Sequence, residues 1–162
     1  MIVYLSLGSN VGDRIANLRA AIAALPGVGV RPVRVSQFYE TEPVDYLQQA
    51  WFLNCVVEAE TALLPEELLR QLRAVEARMG SKKAFAKGPR LLDLDILLYG
   101  DQVVDQPDLQ VPHPRMAQRR FVLVPLAEIA AEVTHPVSGK TALQMLQSTS
   151  DQSVVRALES SA

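Results

Sequence analysis

The chain has 162 residues, of which 49% are hydrophobic, so one substantial core can form and a single domain spanning residues 1–162 is expected. The formal net charge of −2 argues against a protein whose main task is to coat nucleic acid, because neutralising phosphates needs a broad excess of Lys and Arg. The single cysteine, Cys55, cannot form an internal disulfide and no apolar run approaches the roughly 20 residues that span a bilayer, so we expect a cytoplasmic protein without a membrane segment.

The first forty residues alternate apolar runs with turn signals. Ile2–Leu7 is typical of a buried strand, and Asp13 is a good N-cap for an amphipathic helix that Pro26 ends. Residues 28–39 are rich in β-branched side chains and predict a second strand, followed by a loop at 41–50. This order indicates the start of a mixed α and β domain.

A third strand, predicted over Phe52–Thr61, carries the first chemical signal. Its alternation turns Leu53 and Cys55 toward one face, where Cys55 is expected to be a buried and unreactive thiol. Phe52 and Asn54 point to the other face. Both can be ordinary core residues, but Asn54 is the better indicator of a site because an amide in an apolar strand needs a hydrogen-bonding partner.

The second half of the chain begins with its clearest helical pattern, at residues 65–79. The remaining predicted elements are a basic loop at 81–90, a strand at 91–99, a short strand at 103–104, a loop at 107–115, a helix within 121–131 entered through Pro125, a helical turn at 143–146 and a partly mobile tail at 148–162. Because strands and helices mix without regular βαβ alternation, we predict an α+β fold with a mainly antiparallel sheet and helices packed on it.

Asp93 and Asp95 are candidate metal ligands. The apolar positions of their strand are expected to share one face, at Leu92, Leu94, Ile96 and Leu98. The two aspartates then project together from the other face, about 6.5 Å apart. Such a pair suits Mg²⁺, which completes its coordination with water and substrate phosphates. The alternative is a solvated polar face, the usual fate of an isolated Asp-x-Asp pair.

The loop before this pair is basic. No acidic residue lies between Ala77 and Leu92, and the cations of the loop are Lys82, Lys83, Lys87 and Arg90. Cations beside metal-binding carboxylates are what a polyphosphate bound through Mg²⁺ requires. On composition alone, the loop can equally be a solvated basic surface.

Several further motifs favour the first interpretation. They are Leu7-Gly8-Ser9-Asn10, Phe38-Tyr39-x-Thr41-x-Pro43, Phe52-Leu53-Asn54, Gly88-Pro89-Arg90-x-x-Asp93-x-Asp95, Val111-Pro112-His113-Pro114-Arg115-Met116 and Arg119-x-Phe121. In order and spacing, from Leu5 to about Ala130, they resemble the hydroxymethyldihydropterin pyrophosphokinase family. The resemblance implies a ferredoxin-like α+β fold and the transfer of pyrophosphate from ATP to 6-hydroxymethyl-7,8-dihydropterin in folate biosynthesis, with AMP as the other product.

The resemblance also implies roles for individual residues. The implied catalytic residues are Arg90, Asp93 and Asp95, of which the two aspartates are the implied ligands of two Mg²⁺ ions. The implied ATP-binding residues are Glu76, Lys83, Arg90, His113 and Arg119. The implied pterin-binding residues are Phe52 and Phe121, which sandwich the ring, and Thr41, Pro43, Val44 and Asn54 at its edge. We expect a monomer that acts on small molecules, with neither nucleic acid nor a membrane as partner.

Two alternatives stay open. Ser81 and Ala86 stand where many members of the family carry charged residues, so a relative that binds pterin or ATP with weak catalysis fits the same motifs. The other alternative is a ferredoxin-like module that holds single-stranded RNA through Phe52, Phe121 and the basic loop, although the aromatic motif of such modules is missing. The sequence also leaves open whether Asp95 or solvent accepts the proton of the attacking hydroxyl.

Overall fold

The computed structural model describes residues 1–43, 48–80 and 90–158. The strands in these residues are β1 (Ile2–Ser9), β2 (Val30–Val35), β3 (Tyr39–Thr41), β4 (Phe52–Thr61), β5 (Asp93–Tyr99), β6 (Val104–Gln106), β7 (Leu109–Val111) and β8 (Val155–Ala157). The helices are α1 (Arg14–Ala24), α2 (Pro65–Arg78), α3 (Arg120–Ala130) and α4 (Ala142–Ser148). Within the described residues, none of these helices has both the length and the apolar character needed to cross a membrane.

An antiparallel sheet forms the centre of the molecule. Its strand order is β5-β1-β4-β3-β8, and β2 also pairs with β4. The long β4 accommodates two neighbours on one side, because its Thr61 end pairs with β2 and its Phe52 end pairs with β3. Strands β6 and β7 form a separate two-stranded sheet. The predicted α+β fold with a mainly antiparallel sheet is therefore confirmed.

Each face of the sheet packs against a pair of helices. Strand β4 has the predicted bounds and alternation, since Leu53 and Cys55 lie in a core with residues of α1 and α2, whereas Val56 lies in a second core with residues of α3 and α4. Complete burial raises the pKa of the Cys55 thiol, which therefore stays protonated and unreactive. Burying a leucine such as Leu53 contributes about 1.5–3 kcal/mol to folding.

A β-bulge interrupts the alternation of β5. Leu5 of β1 pairs with Ile96 while Tyr4 pairs with Leu98, so Leu97 is an extra residue in the ladder. As a result Ile96 lies in the first core, but Leu97 and Leu98 both lie in the second. The prediction that Leu98 shares a face with Ile96 is wrong for this reason. The bulge lies beyond Asp93 and Asp95, whose half of the strand keeps the predicted alternation.

Four other elements differ from the predictions. The single strand predicted over residues 28–39 is divided into β2 and β3, with a register shift after Pro32. Pro125 lies inside α3 instead of opening it, and cannot donate the usual hydrogen bond to the carbonyl of Phe121. The loop predicted over 107–115 contains β7, and the tail predicted over 148–162 contains β8.

Candidate active site

A cavity of about 120 Å³ opens where β1 ends and where β4 and β5 begin. Its lining contains nine residues named from the sequence, which are Thr41, Pro43, Phe52, Asn54, Arg90, Asp93, Asp95, Arg119 and Phe121. Sequence reasoning did not name the other lining side chains, Ser6, Glu42 and Gln49, nor the place of Gly8 in the wall. The structure thus brings the predicted pterin residues that it describes and the two aspartates into one cavity.

The register of the sheet explains this grouping. Gly8 pairs with Asn54 on one side and with Asp93 on the other, and Ser6 pairs with Asp95. Directly paired residues present their side chains on the same face of a sheet. The amide of Asn54 and the two carboxylates therefore lie on the same face of the sheet. Between Asn54 and Asp93 lies only Gly8 of β1, which has no side chain.

The glycine at position 8 is required by the close approach of Asn54. A Cβ atom at Gly8 would lie 2.6 Å from Nδ2 of Asn54 and 3.6 Å from the ring of Phe52. The first distance is shorter than any van der Waals contact, so a larger residue at position 8 has to displace the amide. The glycine of the Leu7-Gly8-Ser9-Asn10 motif is thus part of the cavity wall.

We predict that Gly8→Ala weakens pterin binding about tenfold or more and costs about 1–3 kcal/mol of stability, because the new methyl group pushes Asn54 out of position. Isothermal titration with 6-hydroxymethylpterin and chemical unfolding measure the two effects. Gly27→Ala is the matched control, since a Cβ there meets nothing within 4 Å. Unchanged pterin affinity in Gly8→Ala would contradict this account of the wall.

The buried amide of Asn54 is held in a fixed orientation. Its Oδ1 accepts a hydrogen bond of 2.6 Å from the hydroxyl of Thr41, and its Nδ2 donates to the carbonyl of Leu7 at 3.4 Å. Each of these side-chain groups has capacity for more than one hydrogen bond. An oriented amide can therefore offer a donor and an acceptor to the edge of a flat heterocycle.

Two aromatic rings, those of Phe52 and Phe121, line the same cavity. The guanidinium of Arg119 lies 5.4 Å from the centroid of the Phe121 ring, within the range of a cation–π interaction. A residue predicted to bind phosphate thus contacts a residue predicted to bind the pterin ring. The contact joins the two halves of the predicted site.

The aspartate pair is half-exposed and lines the same cavity. Nη2 of Arg73 lies 3.8 Å from Oδ1 of Asp95. In the part of the chain that the structure describes, no three His, Cys, Asp or Glu residues cluster as metal ligands. Two carboxylates open to a cavity nevertheless fit Mg²⁺, which commonly takes one or two protein carboxylates and keeps water and phosphate oxygens as its other ligands.

Glu76 lies buried on α2, against the backbone between the two aspartates. Its Oε2 accepts hydrogen bonds from the backbone N–H of Leu94 at 2.7 Å and from Nη1 of Arg73 at 3.0 Å. The same Nη1 donates to the carbonyl of Leu94 at 2.7 Å. Burial raises the pKa of the Glu76 carboxyl, and the hydrogen bond from Leu94 acts against this rise. The predicted role of Glu76 toward ATP stays a prediction, since these bonds show a residue that supports β5.

A second cavity, of about 300 Å³, adjoins the first at Asp95. Its lining consists of Leu69, Arg73, Asp95, Ile96, Pro107, Asp108, Leu109, Gln110, His113 and Pro114. The ring of His113 accepts a hydrogen bond at Nδ1 from the backbone N–H of Arg115. Burial, with the nearby positive charge of Arg119, lowers the pKa of His113 to about 4. The ring is therefore neutral at pH 7, with its hydrogen on Nε2.

The lowered pKa of His113 predicts a loss of stability in mild acid. The folded value of about 4 lies below the ordinary value of 6.5, so the unfolded chain binds more protons between these limits and stability falls as the pH drops through them. From pH 7.5 to 4.5, the free energy of unfolding should fall by about 2 kcal/mol more in the wild type than in His113→Gln. Urea unfolding at the two pH values measures this, and equal losses would contradict it.

Asn10 connects the Arg90 segment to the segment before β4. Its backbone N–H donates to the carbonyl of Arg90 at 2.9 Å, and its Oδ1 accepts from the Arg90 N–H at 2.7 Å. Its Nδ2 donates to the carbonyl of Ala50 at 3.0 Å. Arg90 is thereby fixed at the cavity wall. Val44 and Lys83, also predicted to bind substrates, lie outside the described residues.

Comparison with known proteins assigns this arrangement to a family. The profile of the family described as 7,8-dihydro-6-hydroxymethylpterin-pyrophosphokinase (HPPK) matches residues 4–131. The 2-amino-4-hydroxy-6-hydroxymethyldihydropteridine pyrophosphokinase of Bacillus subtilis is 48% identical over 133 residues, which are 82% of this chain and 80% of that protein. The protein of the same name from Aquifex aeolicus is 45% identical over 138 residues, covering 85% of this chain and 86% of that protein.

Some relatives are much longer. The folic acid synthesis protein fol1 of Pneumocystis carinii is 42% identical over 85% of this chain, and the chain spans only 18% of its length. Among solved structures, a Plasmodium falciparum HPPK-DHPS variant with pterin and p-hydroxybenzoate matches with a TM-score of 0.74 at 16% identity, covering 90% of this chain and 43% of that one. An HPPK-DHPS in complex with substrates matches with a TM-score of 0.71 at 14% identity, covering 91% and 43%. At these identities the structures show the shared fold.

Proposed function

Because the chain belongs to the 7,8-dihydro-6-hydroxymethylpterin-pyrophosphokinase family, we propose that it transfers pyrophosphate from ATP to 6-hydroxymethyl-7,8-dihydropterin and releases AMP. The observation that carries the proposal is the cavity that Phe52, Phe121 and Asn54 line together with Asp93 and Asp95. The flat pterin ring with its polar edge needs the aromatic and amide side chains, and the polyphosphate of ATP needs the metal-binding carboxylates beside them.

The aromatic wall receives the pterin. Phe52 and Phe121 offer ring faces for stacking, and such pairs contribute about 0.5–1.5 kcal/mol beyond the burial of their area. Asn54, oriented by Thr41, offers a donor and an acceptor to the pterin edge. Thr41 and Pro43 complete this wall in the described residues, and we propose that Val44 belongs to it as well.

The other side of the cavity and the adjoining second cavity receive ATP. Arg90 and Arg119 present guanidinium groups, which match phosphate oxygens better than lysine does. Neutral His113 can donate a hydrogen bond from Nε2, and we propose that Lys83 and Glu76 also act on the nucleotide side. When bound, two Mg²⁺ ions held by Asp93 and Asp95 would offset the negative charge of the phosphates.

The reaction is an in-line displacement. The hydroxymethyl oxygen of the pterin forms a bond to the β-phosphorus of ATP, the bond from that phosphorus to the oxygen of the α-phosphate breaks, and AMP leaves. The hydroxyl proton passes to Asp95 or to solvent. The chain contributes mainly positioning and electrostatic stabilisation, as in other phosphoryl transfers, since the walls hold both substrates at adjoining sites.

The setting of the reaction is also part of the proposal. We propose a monomer in the cytoplasm that acts on these small molecules, with no nucleic acid or membrane as partner. The single buried cysteine and the net charge of −2 support this setting. The activities of the longer relatives, of which this chain spans about a fifth, are outside the proposal.

Release of AMP from ATP and Mg²⁺, with and without 6-hydroxymethyl-7,8-dihydropterin, tests the function. Pterin-dependent AMP together with an equal amount of pterin pyrophosphate is the expected result. Tight pterin binding without AMP would instead indicate a relative that has lost catalysis. Failure to bind pterin or ATP would overturn the proposal, and a filter-binding assay with labelled RNA would then test the RNA-binding alternative.

A further inference from the structure

Residues 151–157, here named the strap, lie beside β3, which carries Thr41 of the aromatic wall. They include β8, which is antiparallel to β3 and pairs Val155 with Thr41 and Arg156 with Glu40. They also lie beyond residue 131, where the match to the family profile ends. The strap is thus a feature of this chain to which the family comparison assigns no role.

The strap holds the first turn of α3. Oδ2 of Asp151 accepts a hydrogen bond of 2.8 Å from the backbone N–H of Arg120, and the carbonyl of Ser153 accepts one of 3.1 Å from Arg120 Nε. The N-cap residue of α3, Arg119, makes no capping bond with its own side chain. Asp151 therefore acts as the cap of this helix from thirty-one positions along the chain. The capped residue stands between two residues of the cavity lining, Arg119 and Phe121.

The strap also holds Glu42, which lines the cavity. The backbone N–H of Glu42 donates to the carbonyl of Val154 at 3.2 Å, and the N–H of Val154 donates to Oε1 of Glu42 at 2.7 Å. Together with the pairing of Thr41 and Val155, these bonds fix the residues at the end of β3. This part of the wall can move inward or outward only if the strap moves with it.

A third contact of the strap is made to Trp51, the residue before Phe52. The guanidinium of Arg156 lies 5.2 Å from the Trp51 ring centroid, a cation–π arrangement. On the other side Arg14 donates to the Trp51 carbonyl at 3.1 Å and forms an ion pair of 2.6 Å with Glu40. Trp51 is therefore held between the strap and α1.

From these contacts we propose that Asp151 and Arg156 are positioning residues for the pterin substrate: the strap holds α3 at Phe121 and β4 at Phe52 at the separation that the pterin ring requires. This inference rests on the proposed function for the identity of the ligand. The lining of the second cavity comes from α2, β5 and residues 107–114 and includes no residue of the strap. Among the described residues predicted to bind ATP, Arg119 is the one that adjoins the turn capped by the strap. Loss of the strap should therefore weaken pterin binding more than nucleotide binding.

The only tryptophan of the chain reports on the strap without any ligand. In Asp151→Ala the strap loses the cap on α3 and the turn at Ser153, whose N–H and hydroxyl both donate to Asp151 and whose carbonyl makes the second bond to Arg120. If the strap detaches as a unit, Trp51 emission shifts to the red and acrylamide quenching rises at least twofold. Gln152→Ala is the matched control, since Gln152 is an exposed residue of the same segment. Trp51 emission and quenching that stay at the wild-type level in Asp151→Ala would overturn the proposal.

Titration then compares the two substrates in full-length protein. With a saturating non-hydrolysable ATP analogue and Mg²⁺, Asp151→Ala and Arg156→Ala should each raise the Kd for 6-hydroxymethylpterin fivefold or more, while the Kd for the analogue alone stays within twofold. Equal weakening of both ligands would show a merely structural role and overturn the proposal. If the wild type binds the analogue but no pterin, the proposed function fails. The Trp51 measurement needs no ligand, so it still tests separately whether the strap holds Trp51 in place.

Discussion

Asp95→Asn is expected to lower kcat for AMP release by about a thousandfold or more. The substitution keeps the shape of the side chain but removes the negative charge that would hold Mg²⁺. Asp93→Asn should act similarly, since both side chains line the cavity from one face of β5. Measurements at saturating ATP, pterin and Mg²⁺ isolate the loss in kcat from changes in affinity.

The stability of Asp95→Asn should change by less than about 1 kcal/mol, because the side chain is half-exposed and its ion pair with Arg73 is long, at 3.8 Å. Asp101→Asn is the control, since Asp101 is exposed in the turn after β5. Thermal unfolding by circular dichroism checks that the fold is intact. Turnover near the wild-type rate in either aspartate variant would remove the metal site from the proposed mechanism.

Asn54→Leu is expected to weaken pterin binding about a hundredfold. Leucine fills a similar volume but offers no hydrogen bond to the pterin edge, and it leaves the Thr41 hydroxyl without the acceptor that it has at 2.6 Å. The first loss falls on the bound state, because a pterin edge buried against leucine has to give up its hydrogen bonds to water. The second loss is present in the free protein as well and lowers its stability. Titration of 6-hydroxymethylpterin in the presence of the ATP analogue measures the effect.

Cys55→Ala is a matched control for Asn54→Leu. Cys55 is the next residue of β4, lies completely buried on the opposite face and packs in the core with α1 and α2. This variant should lose about 1 kcal/mol of stability while keeping its pterin affinity. If Cys55→Ala weakened pterin binding as much as Asn54→Leu, the effect would reflect general destabilisation and the assignment of Asn54 would be wrong.

The site was predictable from the sequence where a short, regular pattern decides the geometry. Strand β4 has the predicted bounds, so the placement of Phe52 and Asn54 on one face follows from alternation alone. Asp93 and Asp95 share a face for the same reason. That these two strands adjoin β1 at Gly8 depends on long-range pairing, which the local pattern does not contain.

Other features had no local signal. The bulge at Leu97 leaves an unbroken run of apolar residues in the sequence, so alternation predicted the wrong face for Leu98. Strand β8 is short and mostly exposed, and its pairing with β3 joins residues more than a hundred positions apart. Pro125 is tolerated inside α3 although a proline usually opens a helix. In each case tertiary contacts override the local preference.

The bonds that Glu76 and Arg73 make to Leu94 have a consequence for the association of chains. Strand β5 is the last strand at its end of the sheet, and such a strand is a template on which another chain can add a strand and aggregate. At Leu94 the backbone N–H and carbonyl that an incoming strand would need are already bonded to the two side chains of α2. Glu76 and Arg73, which support β5, thus also hinder the addition of a strand from another chain at Leu94. The cavity beside β5 stays open to substrates.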